Sequence, residues 1–357
     1  MRRLKVAIIG QGRSGRNIHG KFFKSENNLW YDVVAVVEKD AARRQRALEE
    51  YPVCEVFENH QDLYGKDLDL VVNSTFSNEH YSVTKDLLEH DLPVVVEKPM
   101  ARNYYEATNL LRIAKERNVF FAVFQQSFLA PFYRHLKEVV ASGKLGKIQQ
   151  VSIAYNAFSR RWDWQTLQCK MGGSVYNTGP HPLGFALDFL DFSDEITVPF
   201  SKLARTDLGS GDAEDYAKII LTAPGKPVVD VEICNNDAYT DYKLRILGSK
   251  GCYKTSINSY EMKYIVDGEN PERPAIKEFL KNEEGMPMYC SEQLVFHEEK
   301  GDFVGTAFQA AATSYYEMVY NAIVNGEEMT IKPENIAKLI RVIETVHAQN
   351  PMPVLYG

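Results

Sequence analysis

The sequence predicts two domains of different class: a doubly wound α/β domain built on a parallel sheet, then an α+β domain with a large, mostly antiparallel, open-faced sheet. In the first third, short β-branched runs alternate with charged, helix-forming segments, a pattern typical of βαβ crossovers. After about residue 124, the predicted strands become longer and alternate partly in polarity. A chain of 357 residues also exceeds the usual size of one domain. We therefore expect domains at residues 1–123 and 124–357.

The first domain is predicted to contain five buried strands, because continuous apolar runs suit strands covered on both faces. These strands lie at residues 6–9, 32–37, 68–72, 92–96 and 119–123. Helix-forming segments, such as residues 40–51 and 80–90, separate them. Pro93 stands at the head of the fourth run, where its missing N–H costs little.

The second domain is predicted to begin with an amphipathic helix at residues 131–142, which Gly143 ends. Strands are expected at residues 148–155, 218–221, 228–233, 243–247 and 253–255, and helices at 307–324 and 333–347. An open-faced sheet has to cover its apolar face, so we expect a homodimer or a homotetramer.

Composition excludes several classes of partner. The net charge is −7 and no basic run is present, which argues against nucleic acid or an anionic membrane surface as the partner. No apolar stretch reaches the roughly 18 residues that span a bilayer, and the first apolar run is too short for a signal peptide. We expect a cytoplasmic protein. The five cysteines are widely spaced and odd in number, which predicts reduced thiols and no metal site.

A glycine-rich turn follows the first predicted strand and opens a helix. Gly10 permits the tight bend, Gly12 lets a pyrophosphate approach the backbone, and Gly15 allows the helix to pack closely on the strand. Arg13 and Ser14 complete the turn, and the helix N-terminus offers unpaired N–H groups to phosphates. A strand before the turn and a helix after it are the context that dinucleotide binding requires. The turn therefore predicts a Rossmann domain.

Glu38 stands at the end of the second predicted strand. A carboxylate there can accept both ribose hydroxyls of an adenosine and would repel a 2′-phosphate, so NAD is the expected cofactor. Lys39, Arg43 and Arg44 follow closely, which leaves NADP open. The alternative for Glu38 is an exposed carboxylate at a strand end.

Four segments make the chain resemble the Gfo/Idh/MocA family, the group of glucose-fructose oxidoreductase and inositol dehydrogenase. They are Glu97-Lys98-Pro99, residues 74–80, residues 172–181 and the turn at residues 145–148. The resemblance covers residues 1 to about 190 closely and the remainder only in pattern. It implies an NAD-dependent oxidoreductase that transfers a hydride between nicotinamide and a hydroxyl-bearing carbon of a sugar, a sugar derivative or a polyol.

The resemblance also implies cofactor contacts outside the glycine turn. These contacts are expected from Ser74, Thr75, Asn78, His80, Glu97, Lys98 and Gln126.

Three residues are implied as catalytic by the resemblance: Lys98, Asn177 and His181. Lys98 corresponds to the family lysine beside the reacting hydroxyl, and a cis-type turn before Pro99 would aim it into the cleft. His181, in a Gly/Pro-rich turn, corresponds to the general acid/base, and imidazole has an unperturbed pKa near neutrality. Asn177 departs from the family, which usually has aspartate there. An amide binds a hydroxyl but cannot take its proton.

The segment at residues 158–165 holds the candidate substrate residues Arg161, Trp162 and Trp164. Aromatic faces bind the C–H surfaces of sugars, and charged groups bind their hydroxyls. A surface loop pinned by buried aromatic residues is an equally good interpretation.

Two alternatives to a dehydrogenase remain. A redox-neutral glycoside hydrolase would retain NAD and oxidise a ring carbon transiently. The other alternative is a non-catalytic NAD-binding regulator. The presence of Lys98 and His181 argues against it, because a regulator would not need them, whereas Asn177 in place of the family aspartate is compatible with it. The sequence does not name the sugar or polyol.

Overall fold

Six parallel strands form the first sheet of the structure, a computed structural model that describes residues 2–304 and 307–357. The strands are β1 (Leu4–Ile9), β2 (Tyr31–Val37), β3 (Glu55–Phe57), β4 (Leu70–Asn73), β5 (Val94–Glu97) and β6 (Phe121–Phe124). Their spatial order is β3-β2-β1-β4-β5-β6, so the order reverses between β1 and β4 and the doubly wound prediction is confirmed. The edge strand β3 is absent from the prediction because three residues carry no detectable periodicity.

Helices connect these strands, and several of their ends follow from capping chemistry. The side chain of Asp40 accepts a hydrogen bond from Arg43 N, and that of Asn103 accepts one from Glu106 N, so each begins a helix. Asn118 ends the last of these helices in the left-handed region, at φ 53°. The helices are α1 (Gly20–Phe23), α2 (Ala41–Glu50), α3 (His80–Glu89) and α4 (Tyr104–Arg117), and a π-helical turn, Gly15–His19, precedes α1.

Eight strands form the second sheet, as the α+β prediction requires. They are β7 (Ile148–Asn156), β8 (Thr197–Ala204), β9 (Tyr216–Thr222), β10 (Val228–Cys234), β11 (Leu244–Gly248), β12 (Gly251–Thr255), β13 (Ser259–Tyr264) and β14 (His297–Asp302). The spatial order is β14-β13-β12-β11-β7-β10-β9-β8, and only β7 and β10 pair in parallel. The prediction lacks β8, β13 and β14 because these outer strands are polar and largely exposed.

Five further helices accompany the second sheet. They are α5 (Pro131–Ala141), α6 (Ser174–Asn177), α7 (Pro180–Phe189), α8 (Ala307–Asn325) and α9 (Pro333–Gln349). The segment that contains His181 is therefore a helix and not the turn expected from its glycine and proline content. Pro180 is compatible with this helix because it occupies the first turn, where no N–H is needed.

The two faces of the second sheet differ in polarity. On β9, Ala217, Ile219 and Leu221 are buried, and α7 and α9 pack against the sheet. The opposite face carries charged groups, including Lys218 and Asp230, whose Nζ and Oδ1 lie 2.7 Å apart. The uncovered face is thus polar, unlike the apolar face that the sequence led us to expect.

Helix α8 returns the C-terminal part of the chain to the first domain. Tyr316 stacks on Phe22 with ring centroids 4.6 Å apart, and its backbone oxygen accepts a hydrogen bond from Tyr31 Oη at 2.7 Å. The neighbouring Tyr315 donates from its hydroxyl to Val123 O at 2.8 Å. Within residues 2–304 and 307–357, no helix has the length and apolar character needed to cross a bilayer.

Candidate active site

A cavity of about 480 Å³ lies where the glycine turn, the end of β5 and loops of the second domain meet. Carboxyl ends of parallel strands at such a reversal of strand order are the usual ligand site of open α/β sheets. Eight of the predicted site residues line this cavity: Arg13, Ser14, Glu97, Lys98, Gln126, Arg161, Asn177 and His181. All three predicted catalytic residues, and five of the thirteen predicted cofactor residues, are therefore brought to one place.

The glycine turn has the close packing that its sequence predicts. A Cβ on Gly15 would lie 1.8 Å from Gly10 O, so no larger residue fits there. At Gly12, a Cβ would meet no described atom within 4 Å, so the turn is open on that side. The hydroxyl of Ser74 donates to Ile9 O at 2.6 Å and so holds β4 against the turn.

Glu38 lies directly against the glycine turn. Its Oε2 accepts a hydrogen bond from Gln11 N at 2.8 Å, and its Oε1 accepts one from Asp40 N at 3.1 Å. Arg43 Nη1 is 3.6 Å from Oε2. The carboxylate is thus oriented by backbone donors at the end of β2, and the guanidinium of Arg43 is close behind it.

Thr75, Asn78 and His80 do not appear on the described cavity wall. Thr75 and His80 brace the loop after β4, whereas Asn78 Oδ1 is buried with no hydrogen-bond partner among the described residues. Thr75 N and Oγ1 donate to Asn73 Oδ1. The two ring nitrogens of His80 lie 2.7 Å from Pro99 O and 3.2 Å from Thr75 O, and burial lowers the pKa of His80. These residues therefore join the loop after β4 to the segment after β5.

Lys98 is the central cation of the site. Its peptide bond to Pro99 is cis, and its Nζ donates to the backbone oxygen of Asn177. Burial lowers the pKa of Lys98, the carboxylate of Glu97 opposes this effect, and the guanidinium groups of Arg13 and Arg161 add to it. Within the described residues, no carboxylate oxygen lies within 4 Å of Nζ.

Glu97 is buried and bonded to a residue that the sequence analysis missed. Its Oε1 lies 3.1 Å from His19 Nε2, and the hydroxyl of Tyr316 lies 2.6 Å from His19 Nδ1. Burial alone would raise the pKa of Glu97, but the hydrogen bond from His19 and the nearby Lys98 lower it to about 2. His19 carries no motif signal beyond its position in the helix after the glycine turn.

His181 lies in the first turn of α7, with its Nδ1 3.0 Å from Ser127 Oγ. Burial, followed by the charge of Lys98, lowers the pKa of His181 to about 3. The imidazole is therefore neutral at physiological pH. This low pKa differs from the unperturbed value expected from the sequence, because it depends on packing around the imidazole in the folded protein.

Asn177 contacts the loop after β7 through its side chain. Its Oδ1 accepts a hydrogen bond from Gln165 Nε2 at 2.8 Å. Asn177 lies on α6, which begins after Gly173, where a Cβ would lie 2.4 Å from the carboxylate of Glu214. Gln165 and Glu214 also line the cavity. Gln165 ends the predicted substrate segment at residues 158–165 without being a candidate itself, and no sequence motif pointed to Glu214.

The three candidate substrate residues in the loop after β7 do not all line the cavity. Arg161 lines the cavity, whereas Trp162 is 75% exposed and is not on the described cavity wall. Trp164 packs edge-on against Phe76, with ring centroids 5.0 Å apart, and is also away from that wall. Neither tryptophan therefore lines the described cavity, and of the two only Trp164, partly buried against Phe76, fits the interpretation of a surface loop pinned by aromatic residues.

The fold and the site together define a two-domain oxidoreductase whose first domain binds a nicotinamide dinucleotide. The chain belongs to the Gfo/Idh/MocA family: residues 4–125 match the oxidoreductase family model with an NAD-binding Rossmann fold, and residues 133–254 match the GFO/IDH/MocA C-terminal domain. The resemblance that the motifs indicated is confirmed.

Similar proteins include named oxidoreductases. The "uncharacterized oxidoreductase C26H5.09c" of Schizosaccharomyces pombe is 26% identical, covering 76% of this chain and 75% of the relative. The scyllo-inositol 2-dehydrogenase (NADP(+)) IolW of Bacillus subtilis is 21% identical, covering 96% and 92%. Among solved structures, GenD2 from gentamicin A biosynthesis in complex with NAD has a TM-score of 0.76 at 17% identity, covering 98% of this chain and 94% of that chain.

Proposed function

We propose that the protein is an NAD-dependent dehydrogenase or reductase that acts on a hydroxyl-bearing carbon of a sugar, a sugar derivative or a polyol. One observation carries this proposal: Lys98, Asn177 and His181 converge on the cavity that the glycine turn also borders. The scyllo-inositol dehydrogenase of Bacillus subtilis, similar over 96% of this chain, supports the substrate class.

The residues present fit a dinucleotide. Gly12 leaves the turn open to a pyrophosphate, and the amide oxygen of Gln126 is buried beside the cavity with no partner among described residues. We assign the pyrophosphate to the glycine turn with Arg13 and Ser14, and the ribose to Glu38. When bound, the cofactor supplies the acceptor or the donor of the hydride.

The side chains divide the proton chemistry between them. The ammonium of Lys98 donates a hydrogen bond to the reacting oxygen of the substrate. We assign to His181 the tautomer in which Nδ1 donates to Ser127 Oγ, 3.0 Å away, so that Nε2 keeps a lone pair and receives the hydroxyl proton during oxidation. The amide of Asn177 orients the substrate but takes no proton.

The test is an assay of NADH formation with panels of monosaccharides, inositols and sugar acids, and of NADH consumption with the matching ketones. We expect net turnover with at least one compound. Cofactor that stays bound through purification, with sugar bond cleavage and no net NADH, would instead identify the redox-neutral hydrolase. NAD binding without any turnover would identify the regulator.

We further propose a homodimer or a homotetramer. The connection between β13 and β14 exposes large apolar side chains, which a second copy of the chain would cover. They include Ile276, Phe279, Met286, Met288, Tyr289 and Leu294. Light scattering coupled to gel filtration tests this proposal, and a monomer at micromolar concentration would contradict it.

A further inference from the structure

The carboxylates on the cavity wall are already bonded within the protein. Glu214 Oε1 accepts a hydrogen bond from Val175 N at 2.9 Å. Asp215 accepts two hydrogen bonds from Thr206, from its N and its Oγ1, each at 2.6 Å. Glu97 is engaged by His19, as described above. Glu97 and Asp215 therefore have little capacity left for the hydroxyl groups of a ligand, and one oxygen of Glu214 is also engaged.

The cations on the same cavity wall have few carboxylate partners in the described structure. Arg161 Nε is 3.5 Å from Asp163 Oδ2, and both of these side chains are partly exposed. For Arg13, Lys98 and Arg160, no carboxylate oxygen lies within 4 Å in the described structure. The described cavity wall thus carries three cations without an ion pair, Arg13, Lys98 and Arg160, whereas both carboxylate oxygens of Glu97 and of Asp215 already accept hydrogen bonds within the protein.

These cations serve different parts of a bound complex. Arg13 belongs to the glycine turn and is assigned to the pyrophosphate. Arg160 and Arg161 come from the second domain, after β7, beyond any dinucleotide motif. The pKa of Lys98, which burial lowers, is lowered further by Arg161, so the charge of Arg161 acts at the reacting end of the cavity.

We propose that the substrate carries an anionic group, either a carboxylate or a phosphate ester, and that Arg160 and Arg161 bind it. This inference rests on the proposed function and names its substrate class. A guanidinium fork matches the planar oxygens of a carboxylate or phosphate with paired hydrogen bonds. An anion between these residues and Lys98 offsets the repulsion between Arg161 and Lys98, whereas a neutral sugar leaves that repulsion in place.

The experiment compares three matched panels in the NAD-loaded protein: neutral aldoses, the corresponding uronates and the corresponding 6-phosphates. We expect at least a tenfold higher kcat/KM for one anionic panel. The panel that is preferred distinguishes a carboxylate from a phosphate ester. Dissociation constants of the same compounds, measured by calorimetry, give a second reading that needs no turnover.

Variants assign the preference to the two arginines. Arg160→Gln and Arg161→Gln should each lower kcat/KM, or the affinity, for the anionic sugar at least tenfold more than for its neutral counterpart. Arg134→Gln, on the exposed side of α5, is the matched control and should not change that ratio.

Equal or better binding of neutral aldoses would overturn the proposal, as would equal losses on both classes in the arginine variants. These results would leave the dehydrogenase assignment standing. If no panel is turned over, the affinities alone decide whether the cavity selects anions, and the assay with inositols decides the dehydrogenase assignment.

Discussion

The imidazole of His19 bonds to the carboxylate of Glu97, with His19 Nε2 3.1 Å from Glu97 Oε1. Because the low pKa of Glu97 keeps it ionised, this carboxylate only accepts, so Nε2 must carry the proton. Nδ1 is then free to accept from the hydroxyl of Tyr316, whose pKa burial raises well above its usual value. Through Tyr316 and His19, helix α8 thereby holds Glu97, the residue before Lys98, in position.

Removing the negative charge of Glu97 should change the pKa of Lys98. The carboxylate of Glu97 opposes the fall in the pKa of Lys98, so Glu97→Gln should lower that pKa further. If the ammonium is the active form, the alkaline limb of the kcat/KM profile should move to lower pH by about one unit or more. Glu116→Gln, on the exposed face of α4, is the control. An alkaline limb that does not move would remove Lys98 from the proton path.

The catalytic assignments predict a loss of turnover without a loss of cofactor binding. Lys98→Ala and His181→Ala should each lower kcat by about a hundredfold or more, because each removes one positioned proton-transfer group. The affinity for NAD, followed by calorimetry, should stay near its wild-type value. Lys115→Ala, at the end of α4, controls for the loss of a lysine. Full turnover by the His181→Ala enzyme would disprove the role of His181 as base.

Glu38 should decide the preference for NAD over NADP. Its carboxylate is fixed by two backbone N–H groups and would face a 2′-phosphate as a like charge. Glu38→Ala should bring the kcat/KM values for NAD and NADP closer together, by a factor that corresponds to about 1 to 3 kcal/mol of transition-state free energy. The nearby Arg43 should help NADP to bind. Glu58→Ala, an exposed acid, should leave the ratio unchanged. Wild-type preference for NADP would contradict the assignment.

A carboxylate at position 177 should raise the pKa of His181. An opposite charge at short range commonly raises a histidine pKa by about one to three units. In Asn177→Asp, the acid limb of kcat/KM for oxidation should therefore move to higher pH from its starting value near 3. Asn109→Asp, on α4, is the matched control. A movement to lower pH would mean that the new carboxylate has replaced His181 as base.

The half-buried His181 should also make the protein less stable in acid. Its folded pKa of about 3 lies below its unfolded value of 6.5, so the unfolded chain binds a proton that the folded site refuses. The contribution of His181 to the free energy of unfolding is therefore fully present above about pH 6.5. It falls by about 1.4 kcal/mol per pH unit as the pH is lowered from 6.5 towards 3. Urea unfolding at several pH values should show a shallower loss for His181→Gln than for wild type. His297→Asn, an exposed histidine, should retain the wild-type slope.

The sequence by itself determined the class of both domains and the glycine turn. Buried parallel strands are continuous apolar runs, so β1, β2, β4, β5 and β6 were visible as such. The packing of Gly15 on Gly10 is also local, since it depends on residues five apart. The family followed because its motifs are short and contiguous.

Only the tertiary structure decided which groups meet and what their charges do. His19, Ser127 and Gln165 became site residues through contacts between segments that are distant in the chain, and such contacts leave no local pattern. The pKa of His181 falls because the fold partly buries it and places it near Lys98, and the set of cavity cations without an ion pair depends on which segments the fold brings together. Burial and pairing are properties of the whole fold, so no stretch of sequence contains them.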